Sequence, residues 1–408
     1  MATVAARDPA SRTASALVFL LGTAVFLNYV DRGAIGIAAP LMKSELHLSE
    51  EAYGVAFSAF FWIYAPVQLF VGWLCDRFSV YKLMAAGILL WAGSTLLMGF
   101  VGGFASLLVL RIMLGLGESI SFPGSSKIIA RHVRPERRGI ANAAVAAGIA
   151  LGPAAGTLAG GIILGHWGWR AIFVAFGIVT LLWLLPWRET VRPLSQTRDD
   201  ESARVPVGPL LSKWPLWSMS IVHSLGNYCF YFLLAWLPLF LTKARGFSIG
   251  EMTLLATLGY AVQGVCALSF GHFSDWWTRS GRSEAVCRRT MMVASQLLAA
   301  VALFGLAFVH SAVAIGFLLC LAGVASGSLS LNLYAVAQMF AGPRASGTWV
   351  GVQNSLGNLS GIFGPIVSGI VVHRAGYDNA FILTAAVAAI GAAWWMWAVP
   401  RIEPVELD

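Results

Sequence analysis

Charged side chains are scarce in this chain. Aspartate, glutamate, lysine and arginine make up 11% of its 408 residues, whereas an average soluble domain has about 25%. The few charges are gathered in short segments, so that stretches such as 83–110 and 291–309 contain none. A helix needs roughly 20 apolar residues to cross a bilayer, and both stretches can supply them. The scarcity of charge therefore excludes an ordinary soluble fold and predicts an all-α membrane protein.

Several kinds of chemical site are also missing from the sequence. The five cysteines are scattered without metal or redox spacing, and no phosphate-binding loop of the Gly-x-x-x-x-Gly-Lys-Ser/Thr type is present. ATP-driven pumping is therefore unsupported, and we expect no metal and no cofactor. The net charge of +8 does not indicate nucleic acid, because the basic residues lie between apolar runs rather than in a stripe with aromatics. A membrane enzyme or receptor remains a minor alternative to a transporter.

The apolar runs and charged breaks predict twelve transmembrane helices, here called spans 1 to 12. The long hydrophilic stretch 188–213 reads as a cytoplasmic linker, so the chain divides into a six-helix bundle at 1–187, the linker, and a second six-helix bundle at 214–408. The spans are expected at about 15–41, 52–74, 81–101, 105–128, 139–165, 169–187, 215–241, 251–277, 288–309, 312–338, 345–372 and 379–398.

The basic residues also predict the orientation of the chain. With the N-terminus placed inside, 20 of the 27 lysines and arginines fall in inner loops and tails, and five fall in outer loops. Cytoplasmic loops carry an excess of lysine and arginine. Both termini should therefore be cytoplasmic, and we expect a protein of the bacterial inner membrane that functions as a monomer.

The two halves of the sequence repeat each other in two places. The segment after span 2, Gly72–Arg77, and the segment after span 8, Gly271–Asp275, both place glycine four residues before aspartate. A Gly-Pro pair occurs at 152–153 in span 5 and again at 364–365 in span 11. Paired halves of six helices are typical of transporters built from structural repeats, so two pseudo-symmetric six-helix bundles are expected.

On these residues the chain resembles the major facilitator superfamily over essentially its whole length. The Gly72–Arg77 segment is similar to the signature of that superfamily between spans 2 and 3. The segments Asn28–Arg32, Trp62–Tyr64 and Arg111–Glu118 are similar to its anion:cation symporter group. The resemblance implies the major facilitator fold and uptake of organic acid anions, such as sugar acids and hexuronates, with protons. The partners it implies are a small organic anion, protons and the lipid bilayer.

Four charges inside predicted spans are the main clue to function: Asp31 and Arg32 in span 1, and Arg111 and Glu118 in span 4. Each costs roughly 2.5–3.5 kcal/mol on insertion scales, so a proton or substrate site is the default interpretation. Arg111 and Glu118 are seven residues apart and face the same side of a helix, two turns apart. We expect Arg111 to face Asp31, leaving Arg32 for the substrate. The alternative is a purely structural ion-pair cluster that locks span 1 to span 4.

The resemblance also implies roles for individual residues. It makes Asp31 and Glu118 the proton carriers and Arg32 the group that holds the substrate carboxylate. Because burial raises the pKa of a carboxyl and a nearby arginine lowers it, Arg111 is expected to be the partner that tunes an acid. Two oxygens of a carboxylate fit the planar fork of an arginine. It also implies substrate contacts for Tyr64 and Asn354, whose alternative roles are aromatic packing and helix–helix hydrogen bonding. Asn358 shares a helical face with Asn354 and joins the candidate site.

A second set of residues is expected to control opening and closing rather than binding. Gly72, Asp76, Arg77 and Asp275 lie in the predicted intracellular loops, where charge pairs and helix-end contacts can hold one conformation. They should affect the rate of transport without touching the substrate. Weaker candidates among the polar residues inside spans include Tyr228, Tyr231, Gln263 and Asn332.

Two functions of the same class remain open. The first is proton-coupled uptake of a small organic anion, which the buried arginines favour. The second is proton-coupled efflux, because Gly152–Gly156 looks like a motif common in drug–proton antiporters. The stretch 143–151 in span 5 is wholly apolar, where sugar-acid carriers of the resembled group commonly have a polar side chain. This apolar stretch favours a smaller or partly hydrophobic carboxylate.

Overall fold

The computed structural model describes residues 9–133, 138–194 and 207–405, and all regular secondary structure in these ranges is helical. The first half contains the helices Pro9–Glu45, Glu50–Arg77, Val80–Met98, Phe104–Glu118, Ser121–His132, Arg138–Trp167, Trp169–Leu182 and Leu184–Val191. The second half contains Val207–Leu211, Trp214–Leu239 with the π-helical extension Phe240–Ala244, Ile249–Arg279, Glu284–Leu306, Ala312–Gly357 and Ser360–Trp397.

Within the described residues, eleven helical stretches are long and apolar enough to cross a membrane. The last of them, Trp349–Trp397, has 49 residues. At 1.5 Å per residue a helix of that length would measure about 74 Å, more than twice the thickness of a bilayer core. Gly376 interrupts it with φ of 85°, a value that glycine adopts readily and other residues rarely adopt. The stretch thus holds spans 11 and 12, which accounts for the twelve predicted spans.

The two halves use the same packing scheme. Spans 1, 2 and 3 pack against spans 5, 4 and 6, and spans 7, 8 and 9 pack in the same order against spans 11, 10 and 12. The chain is therefore an all-α membrane protein of two pseudo-symmetric six-helix bundles, as expected. The bundle limits at 187 and 214 stay a prediction, because residues 195–206 of the linker lie outside the described residues.

Matching arginine–carboxylate pairs hold the same three spans together in each half. Arg170 at the start of span 6 binds Glu45 at the end of span 1, with 2.9 Å between Nη2 and Oε1. Arg245 at the end of span 7 binds Asp378 at the start of span 12, with 2.7 Å between Nη2 and Oδ1. Each arginine also donates to the last carbonyls of span 3 or span 9, which have no partner within their own helix. The repeat therefore extends to these helix ends, with the two charges exchanged.

The expectation that Gly72–Arg77 and Gly271–Asp275 lie in loops is wrong. The first segment forms the last turns of the helix Glu50–Arg77, and the second lies within Ile249–Arg279. The helix of span 2 ends at Arg77, and the backbone N–H of the next residue, Phe78, still bonds the carbonyl of Leu74. A helix can extend beyond its apolar run because intrahelical hydrogen bonds keep its backbone satisfied on either side of the membrane boundary. The side chains of Asp76, Arg77 and Asp275, and the surroundings of Gly72, lie outside the described residues.

Glycines set the depth at which span 4 lies between its neighbours. A Cβ atom added to Gly115 would lie 2.1 Å from the carbonyl oxygen of Phe60 in span 2, and one added to Gly117 would lie 2.6 Å from the backbone nitrogen of Trp91 in span 3. Helices approach this closely only through small residues. These two glycines belong to the segment Arg111–Glu118, so its charges are carried by a helix packed directly on spans 2 and 3.

Replacement of Gly115 by alanine is expected to destabilise the protein. The new methyl group would meet a backbone carbonyl that cannot rotate away, and overpacking of this kind costs typically about 1–3 kcal/mol. Gly93→Ala in span 3 is the matched control, because nothing lies within 4 Å of its added Cβ. Thermal unfolding in detergent should show a lower midpoint for Gly115→Ala and an unchanged or higher one for Gly93→Ala. Equal midpoints would contradict the close packing of span 4.

Candidate functional site

A buried ion pair between Arg32 and Glu118 is the centre of the candidate site. The Nε atom of Arg32 in span 1 donates to Oε2 of Glu118 in span 4 over 2.8 Å, and the side chains are 4% and 0% exposed. The pair joins the two spans that the sequence singled out. The expected pairing, in which Arg111 faces Asp31 and Arg32 stays free, is therefore wrong.

Arg111 lies on the same helix as Glu118 but reaches a different neighbour. Its guanidinium donates to two backbone carbonyls of span 2, Ala56 at 3.3 Å and Phe57 at 2.9 Å. It also lies over the rings of Phe57 and Phe60, with its Cζ 5.3 Å and 5.2 Å from their centroids. The close contact of span 4 with span 2 brings these carbonyls within reach, which explains why Arg111 does not turn towards Asp31.

Asp31 has neutral partners instead of an arginine. Its Oδ2 accepts from the indole Nε1 of Trp91 in span 3 over 2.5 Å and from the hydroxyl of Thr180 in span 6 over 3.3 Å. Among the described residues no cation lies within ion-pair distance of its carboxylate. The two adjacent residues of span 1 therefore have different neighbours: Asp31 contacts spans 3 and 6, and Arg32 contacts Glu118 of span 4. Trp91 and Thr180 were missed by sequence reasoning, since single polar atoms in apolar runs carry no pattern.

Aromatic rings surround the guanidinium of Arg32. Its Cζ lies 5.0 Å from the ring centroid of Tyr29, 5.1 Å from that of Phe60 and 4.6 Å from that of Tyr64. Such cation–π contacts stabilise a desolvated cation. Its buried Nη2 atom has no hydrogen-bond acceptor among the described residues. Tyr64, a predicted substrate contact, thus lies beside Arg32, and so does Tyr29, which the sequence did not single out.

The second bundle contributes a row of polar side chains to the same region. Tyr231 of span 7 donates to Oδ1 of Asn358 over 2.5 Å, and its ring centroid is 4.4 Å from that of Phe61 in span 2. Tyr334 of span 10 donates to Oδ1 of Asn354 over 2.8 Å. The two asparagines lie at the end of the helix Ala312–Gly357, and Asn358 caps its backbone. Asn354 also donates to Gln68 of span 2, so both candidate asparagines make hydrogen bonds between helices near the interface of the two bundles.

Span 2 and span 11 are in contact over much of their length. Near the loop at 45–50 the backbones meet without intervening side chains, because a Cβ on Gly54 would lie 2.4 Å from the carbonyl oxygen of Pro365. Towards the opposite end of span 2, Ser355 donates to the carbonyl of Ala65 over 2.8 Å, and Asn354 donates to Oε1 of Gln68 over 2.8 Å. Spans 2 and 11 therefore touch both before and after the level of Tyr64 and Arg32 along span 2.

A cluster of charged and aromatic groups closes the end opposite to the termini. Lys43 of span 1 forms an ion pair with Glu50 of span 2. The hydroxyl of Tyr377 in span 12 donates to Oε1 of Glu50 over 3.3 Å, and that of Tyr53 donates to the carbonyl of Ala235 in span 7 over 2.9 Å. These bonds join the first bundle to the second. Sequence reasoning placed the gating residues only at the other end of the spans and missed this cluster.

The glycines of span 5 pack against span 1. A Cβ added to Gly148, Gly152 or Gly156 would lie 2.7 Å, 2.6 Å and 2.9 Å from atoms of Gly22, Tyr29 and Val30. Two of these glycines, Gly152 and Gly156, belong to the segment whose sequence looks like an antiporter motif. In this structure the glycines of that segment serve the packing of span 5 onto the helix that carries Asp31 and Arg32.

Comparison with known proteins agrees with this architecture. The model of the Major Facilitator Superfamily matches residues 21–283 and 280–407. The probable galactarate/D-glucarate transporter of Escherichia coli (strain K12) is 30% identical over 433 residues, covering 96% of this chain and 94% of that protein. The probable sulfoacetate transporter of Cupriavidus necator is 28% identical, covering 90% and 89%. A bacterial homolog to the human lysosomal transporter Spinster, solved in an inward-facing and occupied conformation, has a TM-score of 0.80 at 19% identity, covering 97% and 98%.

Proposed function

Because the chain belongs to the major facilitator superfamily, we propose that it takes up a small organic acid anion together with protons. It is an integral membrane transporter and not an enzyme. Its relatives carry the names of galactarate/D-glucarate, sulfoacetate and hexuronate transporters. The observation that carries the proposal is the buried guanidinium of Arg32, which bonds Glu118 through Nε and keeps Nη2 without an acceptor among the described residues.

The charges of the site make anion binding and proton binding favour each other. Asp31, Arg32, Arg111 and Glu118 sum to zero when all four are ionised. When Glu118 takes a proton, Arg32 loses its counter-charge, and leaving one member of a buried pair unpaired costs about 3–5 kcal/mol. The carboxylate of a substrate can restore that charge and meet the guanidinium with two hydrogen bonds. One proton and one monoanion together keep the site neutral.

Asp31 is proposed as the second proton carrier. Its carboxylate is 2% exposed and has Trp91 and Thr180 as donors. Because no arginine compensates it among the described residues, the carboxylate can hold a proton without competing for Arg32. Arg111, bound to the carbonyls of span 2, fixes the position of span 4 and contributes positive charge near Glu118.

Transport then requires the two bundles to separate alternately at either end. The cluster of Lys43, Glu50, Tyr53 and Tyr377 closes the end opposite to the termini. The proposed gating residues Gly72, Asp76, Arg77 and Asp275 belong to the other end. With both termini in the cytoplasm of a bacterial cell, the Lys43–Glu50 pair closes the periplasmic side of a monomeric carrier. Tyr64, Asn354 and Asn358 complete the proposed substrate site.

Purified protein in liposomes tests this function. An inward proton gradient should drive accumulation of one or more labelled carboxylates from a panel, and Asp31→Asn should reduce the accumulation strongly. Thr190→Ala is a control, because the hydroxyl of Thr190 donates to the carbonyl of Pro186 in its own helix, away from the candidate site. Absence of accumulation for every carboxylate, or full accumulation by Asp31→Asn and Glu118→Gln alike, would refute proton symport. Outward transport driven by the same gradient would identify the alternative, proton-coupled efflux.

A further inference from the structure

Gln68 is a buried polar residue that the proposed mechanism does not yet use. It lies in span 2, one helical turn after Tyr64, and is 6% exposed. Its Oε1 accepts a hydrogen bond from Nδ2 of Asn354 over 2.8 Å. Its Nε2 is buried and has no acceptor among the residues that the structure describes. A buried donor without an acceptor is unfavourable and is usually satisfied by a partner.

A short chain of hydrogen bonds fixes the orientation of this amide. The hydroxyl of Tyr334 donates to Oδ1 of Asn354, and Nδ2 of Asn354 donates to Oε1 of Gln68. These hydrogen bonds connect span 10 to span 11 and span 11 to span 2. Each member satisfies the next, so Nε2 of Gln68 is the donor that remains at its end.

Another buried donor without an acceptor lies beside Tyr64. Nη2 of Arg32 is also unpartnered among the described residues, and the guanidinium lies 4.6 Å from the centre of the Tyr64 ring. Residues 64 and 68 of one helix are separated by about 6 Å along its axis. The Tyr64 ring, against which the guanidinium of span 1 lies, and Gln68 are thus one turn apart on span 2, and two unpartnered donors in these positions match a molecule with acceptors at both of its ends.

We propose that Gln68 is a substrate-binding residue, whose Nε2 donates to an oxygen of the anion remote from the carboxylate that Arg32 holds. The inference rests on the proposed function of Arg32. The site therefore favours a carboxylate whose chain carries a second oxygen far enough from the carboxylate to reach Gln68 over a shorter one. Asn354 acts through Gln68, as a positioning residue, in addition to any contact of its own.

Two hydrophilic anions of different length test this selection. Competition by D-gluconate and by glycerate is measured against uptake of a labelled carboxylate that the wild type transports. Gln68→Met keeps the length of the side chain but removes the amide. Loss of one neutral hydrogen bond should lower the apparent affinity for gluconate about threefold to tenfold and leave the apparent affinity for glycerate unchanged. Gln68→Asn shortens the side chain by one methylene and should also lower the affinity for gluconate. Competition by glycerate checks that each variant is folded.

Ser355→Ala is the matched control, because Ser355 also bonds span 11 to span 2, through the carbonyl of Ala65 at 2.8 Å. It should leave the ratio of gluconate to glycerate affinity unchanged. An unchanged ratio in Gln68→Met, an equal change in Ser355→Ala, or a wild type that transports other carboxylates without binding gluconate would overturn the role of Gln68. In this experiment, a wild type that transports no carboxylate at all would overturn the proposed function itself.

Discussion

Glu118→Gln is expected to abolish proton-driven accumulation of the anion while preserving exchange of anion across the membrane. Glutamine has nearly the same shape as glutamic acid but takes up no proton between cycles. Arg32 then lacks its counter-charge at all times and stays available to the substrate carboxylate. In proteoliposomes, labelled anion should equilibrate with unlabelled anion at a rate close to that of the wild type. With an imposed proton gradient, the internal concentration should not rise above the external one.

A surface acid provides the control for this variant. Glu284 pairs with Arg288 one turn further along span 9, with 2.7 Å between Oε1 and Nε, and its side chain is 37% exposed. Exposed pairs of this kind contribute little, so Glu284→Gln should accumulate anion as the wild type does. If Glu118→Gln still accumulates anion, Glu118 is not the coupling acid. Loss of exchange in a folded Glu118→Gln protein would instead assign Glu118 to binding or to the conformational change.

Arg32→Lys is expected to weaken anion binding by about 10-fold to 150-fold, because a hydrogen bond to a charged group contributes about 1.5–3 kcal/mol. Lysine keeps the charge but is a compact donor that cannot meet a carboxylate with a planar fork. It also loses the stacked contacts with Tyr29, Phe60 and Tyr64. The apparent affinity is measured from the concentration dependence of anion exchange, with the unfolding midpoint recorded for the same sample.

Arg111→Lys separates this effect from the loss of any buried arginine. The Arg111 guanidinium donates to the carbonyls of Ala56 and Phe57. Its replacement should therefore lower the unfolding midpoint and have little effect on the affinity for the anion. The two variants are therefore expected to differ in what they change: Arg32→Lys chiefly lowers the affinity for the anion, and Arg111→Lys chiefly lowers the stability of the protein. An affinity loss in Arg111→Lys as large as that in Arg32→Lys would contradict the assignment of the anion to Arg32.

The sequence was sufficient to identify the four charges but not their partners. Apolar runs and the cost of burial single out Asp31, Arg32, Arg111 and Glu118 without structural information. A helical repeat shows that Arg111 and Glu118 share a face, but it does not show how deeply span 4 lies against span 2. That depth depends on Gly115 and Gly117, and it turns Arg111 to the carbonyls of span 2 and leaves Glu118 to Arg32.

Residues with a single useful polar atom were the hardest to predict. Trp91 and Thr180 lie in apolar runs, and only their contact with Asp31 distinguishes them from other packing residues. Gln68 and Tyr334 become informative through Asn354, which lies 286 and 20 residues away in the chain. Hydrogen bonds between distant spans depend on the packing of the whole bundle. The helical ends at Arg77 and Arg279 were missed because helices continue beyond the apolar residues that identify a span.

The direction in which protons move with the anion tests the central claim most directly. Wild-type proteoliposomes with a pH-sensitive dye inside are placed in a buffer without an initial proton gradient, and a transported carboxylate is added outside. Proton symport predicts that the interior becomes more acidic as the anion enters, and that Glu118→Gln removes this acidification while anion exchange continues. An interior that becomes more alkaline, or one whose pH stays constant during net entry of the anion, would contradict the coupling of proton and anion at Arg32 and Glu118.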